Sequence, residues 1–244
     1  MHALILAGGE GARLRSDGIR TPKPFVELEG RPLLLRLVDS LRALECETIT
    51  AAVRKSALAE AGPLFRSVGA AGARVLACET PSSLHTLAAG LTVVPPGPLL
   101  CVMVDSVMRE EDWRRLFARA DHLLRNGADA CVAVTPQADD EAPLYVLRRR
   151  DGSVASFRPE PVLPPLVTGG VYFMSSQVRD LAPRVLALGV SRMRGFLAWL
   201  AEHGYRIETV EVERIMDVDR GRDLAAAGRW LAASRSNWFG GGHP

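Results

Sequence analysis

The run Ala3-Leu4-Ile5-Leu6-Ala7, followed directly by Gly8-Gly9-Glu10-Gly11-Ala12-Arg13-Leu14, sets the reading of the whole chain. Consecutive apolar residues without polar alternation describe a strand buried on both faces, the habit of parallel sheets. A glycine cluster at the carboxyl end of such a strand lies where an open α/β sheet receives its ligands. Glycine lets the backbone pass close to a polyphosphate, and the loop's N–H groups bind its oxygens. Tight strand-to-helix turns use glycine for conformational reasons too, so the glycines alone leave a structural and a phosphate-binding reading side by side.

Two permanent cations lie just beyond these glycines. Arg13 closes the loop, and Lys23 stands in Thr21-Pro22-Lys23-Pro24 shortly after it; Lys23 and Lys55 are the only lysines in the sequence. Arginine offers a planar fork to phosphate oxygens and lysine a point charge to a reacting phosphoryl group. Prolines on both sides restrict the backbone of Lys23.

Outward from this loop, short apolar runs alternate with helical periods. Ala3–Ala7, Thr48–Val53, Val75–Ala77, Leu99–Val104 and Ala130–Val134 read as buried strands. A helix begins near Arg31, with Pro32 in its first turn and Leu34, Leu37, Val38, Leu41 and Leu44 on one face; Leu84–Leu91 and Glu110–Arg125 are others. Such alternation predicts βαβ units and a mostly parallel sheet with helices on both faces. After Pro136 the pattern changes: Leu144–Leu147 and Ser153–Phe157 flank Asp151-Gly152, a hairpin signal, and a proline-rich loop over Pro159–Pro165 comes next. Val171–Met174 and Arg206–Val212 read as strands, Gln177–Leu188, Met193–His203 and Arg222–Ala233 as helices. A single domain over 1–233 with a flexible tail over 234–244 is expected.

Composition narrows the partners. The 244 residues are 48% hydrophobic, and 30 basic residues are scattered among 28 acidic ones for a net charge of +2, so no nucleic-acid footprint is visible and a small-molecule partner is expected. No stretch reaches the length of a membrane span, and Cys46, Cys78, Cys101 and Cys131 are widely spaced without CxxC pairing, which fits reduced core thiols of a cytoplasmic protein. Oligomeric state stays open, a homo-oligomer included.

The stretches LAGGEGARL and TPKPFVELEGRPLL resemble the signature loop of the sugar-1-phosphate nucleotidylyltransferases, whose usual form is LAGGxGxRL with a later KP. The resemblance implies a three-layer Rossmann-like α/β fold of the nucleotide-diphospho-sugar transferase type, mostly parallel with an antiparallel hairpin insertion. It implies that an NTP is condensed with a small phosphorylated acceptor, a sugar 1-phosphate foremost, and that pyrophosphate is released. Leu6, Ala7, Gly8, Gly9 and Gly11 would hold the nucleotide, Arg13 the leaving pyrophosphate, and Lys23 the charge building at the α-phosphate.

Asp105 ends the strand Leu99–Val104 and should emerge at the sheet edge that carries the glycine loop, although an aspartate there is also a common turn former. Asp217 and Asp219 lie in MDVDRGRDL, which is similar to the family's late VDTxxDL segment, whose aspartate at the position of Asp219 is a metal ligand. Two carboxylates from distant strands suit Mg²⁺, so Asp105 and Asp219 are the expected ligands. Strand alternation would give Asp217 the same face, and Asp223 reads as charge compensation for the last helix. Lys23→Ala or Asp105→Ala should then abolish turnover with little effect on folding.

Glu79, Ser82 and Ser83 stand where relatives carry a loop that contacts the base; Ser82 or Ser83 also suits a helix cap, and His85 reads as a packed or helix-surface residue. Thr168-Gly169-Gly170-Val171-Tyr172 is similar to the family's NxGxY segment, so Gly169 and Gly170 are expected at the acceptor, with Arg158 gripping its phosphate. A choline-phosphate or molybdenum-cofactor type of nucleotidyltransferase, and a non-catalytic regulatory domain of the same fold, remain alternatives.

Overall fold

A computed structural model describes residues 1–137 and 142–239. In chain order the strands are β1 (His2–Ala7), β2 (Glu27–Leu28), β3 (Arg31–Pro32), β4 (Thr48–Arg54), β5 (Arg74–Cys78), β6 (Leu99–Met103), β7 (Ser106–Val107), β8 (Ala130–Thr135), β9 (Tyr145–Arg148), β10 (Val154–Arg158), β11 (Val167–Met174), β12 (Ile207–Glu211) and β13 (Met216–Asp217). The helices are α1 (Ala12–Ser16), α2 (Leu33–Ala43), α3 (Lys55–Glu60), α4 (Gly62–Ala70), α5 (Ser83–Leu91), α6 (Glu110–Arg125), α7 (Ser176–Arg179), α8 (Ala182–Ala187), α9 (Met193–Glu202) and α10 (Gly221–Phe239), with a 3₁₀ turn over Lys23–Phe25.

The main sheet runs β5–β4–β1–β6–β11–β8–β12, and all of these strands point one way except β11, which is antiparallel to both its neighbours. The β9–β10 hairpin attaches to the start of β11, where Val167 pairs with Tyr145. This is the mixed, mostly parallel α/β sheet with an antiparallel hairpin that the sequence predicts.

Period-two alternation in β1 divides the core. Ala3, Ile5 and Ala7 pack with Leu34, Leu37, Val38 and Leu41 of α2 and Trp113, Leu116 and Ala120 of α6. Leu4 and Leu6 face the opposite layer, where α5, α8 and α9 contribute Leu84, Leu87, Val185, Phe196 and Leu200. A third cluster lies apart from both, with Leu14, Val26, Leu28, Val107, Val218, Ala227 and Leu231 joining α10 to the segments around the glycine loop. Among the described residues no helix is long and apolar enough to cross a membrane.

Several elements differ in extent from the sequence reading. Helix α2 starts at Leu33, because Pro32 is extended (ψ 138°) and pairs with Glu27 instead of opening the first turn. The single helix expected over Gln177–Leu188 is two, since Pro183 cannot donate a backbone hydrogen bond and so marks a new start. Helices α3 and α4 fill the crossover between β4 and β5, where the alternation predicts helix without giving its bounds. Helix α10 continues to Phe239 through the first part of the expected tail; residues 240–244 lie outside the described residues.

Candidate active site

Because β1, β4, β5 and β6 are parallel, one edge of the sheet gathers the glycine loop, Arg54, Glu79 and Asp105, each at or just past the carboxyl end of its strand. Within the loop, Gly11 is left-handed (φ +64°), and a Cβ there would lie 3.2 Å from the Cβ of Lys23. Glycine is therefore what lets the proline-flanked turn close on the loop. Phe25 anchors that turn, fully buried and edge-on to Phe65 at 4.6 Å between ring centroids.

Lys23 points into the site with its side chain only 8% exposed, and its ammonium donates to Asp105 Oδ2 and, at 2.5 Å, to Asp219 Oδ1. Arg13 donates to the other oxygen of Asp219 at 2.6 Å. Burial opposes the charge on Lys23, but the carboxylates of Asp105 and Asp219 outweigh it and hold its pKa above the ordinary lysine value. Asp219 shows the converse: burial works against its ionisation, yet Lys23 and Arg13 hold its pKa below the usual range.

The two carboxylates are brought together by a ladder too short to read from sequence. β7 and β13 pair antiparallel, Ser106 opposite Asp217, and the N–H of Val218 donates to the carbonyl of Asp105 at 3.1 Å. Past β13 the chain leaves the strand, so Asp219 is not placed by alternation with Asp217. Instead its N–H donates to Asp223 Oδ2 at 3.2 Å, and Arg220 N donates to the same oxygen at 2.8 Å. Asp223 thus caps α10 and positions Asp219, beyond the charge compensation expected of it.

The nucleotide side of the cleft is cross-tied by Arg54, which donates to Glu10 of the glycine loop at 2.8 Å and to Glu79 at 2.6 Å. No motif marks Arg54 in the sequence; its position at the end of a parallel strand is the one signal that points to it. Leu6 and Ala7 are buried with the strand, while Gly8 packs under α5, where a Cβ would meet Thr86 Oγ1 at 3.0 Å. Ser82 occupies the N-cap position of α5, but its hydroxyl pairs with His85 Nδ1 at 2.9 Å. Ser83 accepts from Met193 N at 3.1 Å, tying α5 to the start of α9.

Beside the four charged residues opens a cavity of about 260 Å³ whose walls include Asp105, Asp219, Thr168, Gly170, Tyr172 and Asp217. Arg192 and Arg194, at the start of α9, also line it, and no local motif marks either of them in the sequence. Gly170 (φ +72°) presents backbone to it, and Gly169 is hemmed in by Ile215, whose Cβ would be 2.5 Å from an added Cβ. Arg158 does not reach the cavity; it is exposed at the end of β10 with its Nε on Ser156 Oγ. Burial, reinforced by Asp217, keeps the Tyr172 phenol protonated well above its ordinary pKa.

Comparison with known proteins bears on the family and the fold. The family model for the MobA-like NTP transferase domain matches residues 3–203. A mannose-1-phosphate guanylyltransferase catalytic subunit beta from Drosophila pseudoobscura pseudoobscura is 26% identical over 188 residues, covering 73% of this chain and 49% of that protein. A mannose-1-phosphate guanyltransferase of Aspergillus oryzae is 49% identical over 53 residues, 22% of this chain and 15% of that protein. The chain thus spans at most about half the length of these curated relatives. The solved inositol-1-phosphate CTP transferase from T. maritima superposes with a TM-score of 0.78 at 17% identity, covering 95% of this chain and 94% of that one, a likeness of fold.

Proposed function

Because the chain belongs to the MobA-like NTP transferase domain family, we propose that it transfers the nucleotidyl group of an NTP to a sugar 1-phosphate and releases pyrophosphate. The observation that carries this is the convergence of Arg13, Lys23, Asp105 and Asp219 between the glycine loop and the cavity. An oxygen of the acceptor phosphate attacks the α-phosphorus, the bond to the bridging β-oxygen breaks, and its electron pair leaves with pyrophosphate. Such a step needs positioning and charge stabilisation more than covalent chemistry. The glycine-loop N–H groups cradle the polyphosphate, and Arg13 and Lys23 stabilise charge on the leaving group and the α-phosphate. Arg192 and Arg194 hold the acceptor phosphate in the cavity.

Asp105 and Asp219 fit a divalent cation: two carboxylates from separate elements already converge on one positive charge, the Lys23 ammonium. When bound, Mg²⁺ supplies neutralisation between the anionic donor and acceptor phosphates.

For the nucleotide we propose GTP. Two relatives named above are guanylyl- or guanyltransferases, and Glu79, steadied by Arg54 at the cleft, has the carboxylate needed to accept from both N1–H and the 2-amino group of guanine. The test is pyrophosphate release from each NTP with Mg²⁺ across sugar 1-phosphates, inositol 1-phosphate and phosphocholine. Release with GTP and a hexose 1-phosphate is expected. Release only with another nucleotide overturns the base assignment, and release only with phosphocholine overturns the acceptor. Nucleotide binding with no release from any pair overturns the activity.

A further inference from the structure

The Lys23 ammonium stands between Asp105 and Asp219, in contact with one oxygen of each, where a divalent ion held by both would sit. Both carboxylates stand on anchored main chain. The main chain of Asp105 is bonded to Val218, and that of Asp219 to Asp223. Two cations cannot share the seat, so the ammonium and a divalent ion compete for it. The ammonium, in contrast, ends a flexible four-carbon stem. The base of that stem lies against Gly11, between Pro22 and Pro24, so the head group starts from beside the phosphate-binding loop.

We propose that Lys23 is the resident counter-ion of the nucleotide-free site, that it excludes divalent metal from Asp105 and Asp219, and that the polyphosphate of an incoming NTP draws its head group away so that nucleotide and metal enter together. The proposal rests on the metal role given to the two aspartates above. Its energetic basis is that two partly buried carboxylates facing one another without the cation between them are costly, whereas exchanging one cation for another keeps them compensated throughout. Binding is then coupled reciprocally: nucleotide raises metal affinity and metal raises nucleotide affinity by the same factor. Arg13, nearly half exposed and bonded to Oδ2 of Asp219, the oxygen that Lys23 does not contact, does not fill this seat.

The experiment is titration of the nucleotide-free chain with Mn²⁺ alone, with free ion read by electron paramagnetic resonance. Lys23→Met should bind one Mn²⁺ about tenfold or more tightly than wild type, Lys23→Arg should resemble wild type, and adding Asp105→Asn to Lys23→Met should remove the gain. Deleting the ammonium also takes the Lys23 counter-ion from Asp105 and leaves Asp219 with Arg13 alone, so Lys23→Met should melt below wild type, against the small folding effect expected from sequence, and recover more on Mn²⁺ addition than wild type does. A Lys23→Met affinity equal to or weaker than wild type overturns the proposal. Should that variant not fold, wild type decides alone: a non-hydrolysable NTP must raise protein-bound Mn²⁺ about tenfold or more beyond what the nucleotide binds in solution, and equal binding without nucleotide overturns the exclusion. Product formation by wild type alongside an unchanged Lys23→Met affinity sinks the exclusion alone. Absence of product from every substrate pair, with the Mn²⁺ gain intact, sinks the activity alone.

Discussion

Arg192 and Arg194 carry a sharper consequence than any residue named from motif. Both line the cavity beside Asp105 and Asp219, whereas Arg158, the expected phosphate grip, is exposed on β10. An arginine that binds the acceptor's phosphate in ground and transition state alike acts mainly on KM. Arg192→Ala with Arg194→Ala is therefore expected to raise the acceptor KM by about tenfold or more, the loss of one or two charge-assisted hydrogen bonds, and to leave the NTP KM nearly unchanged. Arg158→Ala should leave both near wild type. Steady-state kinetics with each substrate varied in turn checks this, and a KM effect confined to Arg158→Ala would reverse the assignment. The contrast also shows what the sequence discloses at this scale. Arg13, Lys23, Asp105 and Asp219 were legible because each stands in a motif or directly after a strand. Arg192 and Arg194 line the cavity on either side of Met193, whose N–H donates to Ser83 of α5, a contact between segments over a hundred residues apart that no local pattern announces.

Among the elements, those with long periodic faces were legible and those defined by a few contacts were not. Helix α6 spans Glu110–Arg125 as read, with Trp113, Leu116 and Ala120 on its buried face. The β7–β13 pair, two residues on each side, is too short to show any period, yet it joins the two aspartates. Helix α5 carries a constraint visible only in the packed structure. Gly90 lies against β1, and an added Cβ would fall 2.6 Å from Leu4 Cδ1, with the buried Leu4 side chain held by the surrounding core. Gly90→Ala gains about 1 kcal/mol of helix propensity but overpacks this contact at a cost of about 1–3 kcal/mol, so a net destabilisation is expected in urea unfolding. Leu4→Ala alone should cost about 2–5 kcal/mol through its cavity. Since the new methyl enters the space vacated by Leu4, the double variant should lose less than the sum of the two. Strict additivity would mean that α5 moves away from β1 instead of pressing on it.

For the whole molecule, the division of the core into three clusters separates folding from assembly of the site. Among the described residues, the two clusters on the faces of the main sheet contain none from α10, while the third is built around Ala227 and Leu231 of that helix with Leu14, Leu28, Val107 and Val218. The same helix supplies Asp223, which fixes the main chain of Asp219, and Gly221, whose N–H donates to Asp17 beside α1 at 3.0 Å. The family match ends at residue 203, before this closing layer. A last helix was readable from the sequence, but its docking site was not, because its few apolar positions do not say which surface they cover. Ending the chain after Arg220 should therefore leave the main sheet folded, with its far-UV circular dichroism and a cooperative urea transition retained at lower stability. Asp219 would lose the acceptor that orients it and a wall of packed side chains behind it. Displacing a catalytic group by as little as about 1 Å can cost about a hundredfold in rate, so pyrophosphate release should fall by at least that much while the fold persists. Loss of the cooperative transition would mean that α10 is part of the folding unit, and full turnover by the shortened chain would mean that the β7–β13 ladder suffices to hold Asp219.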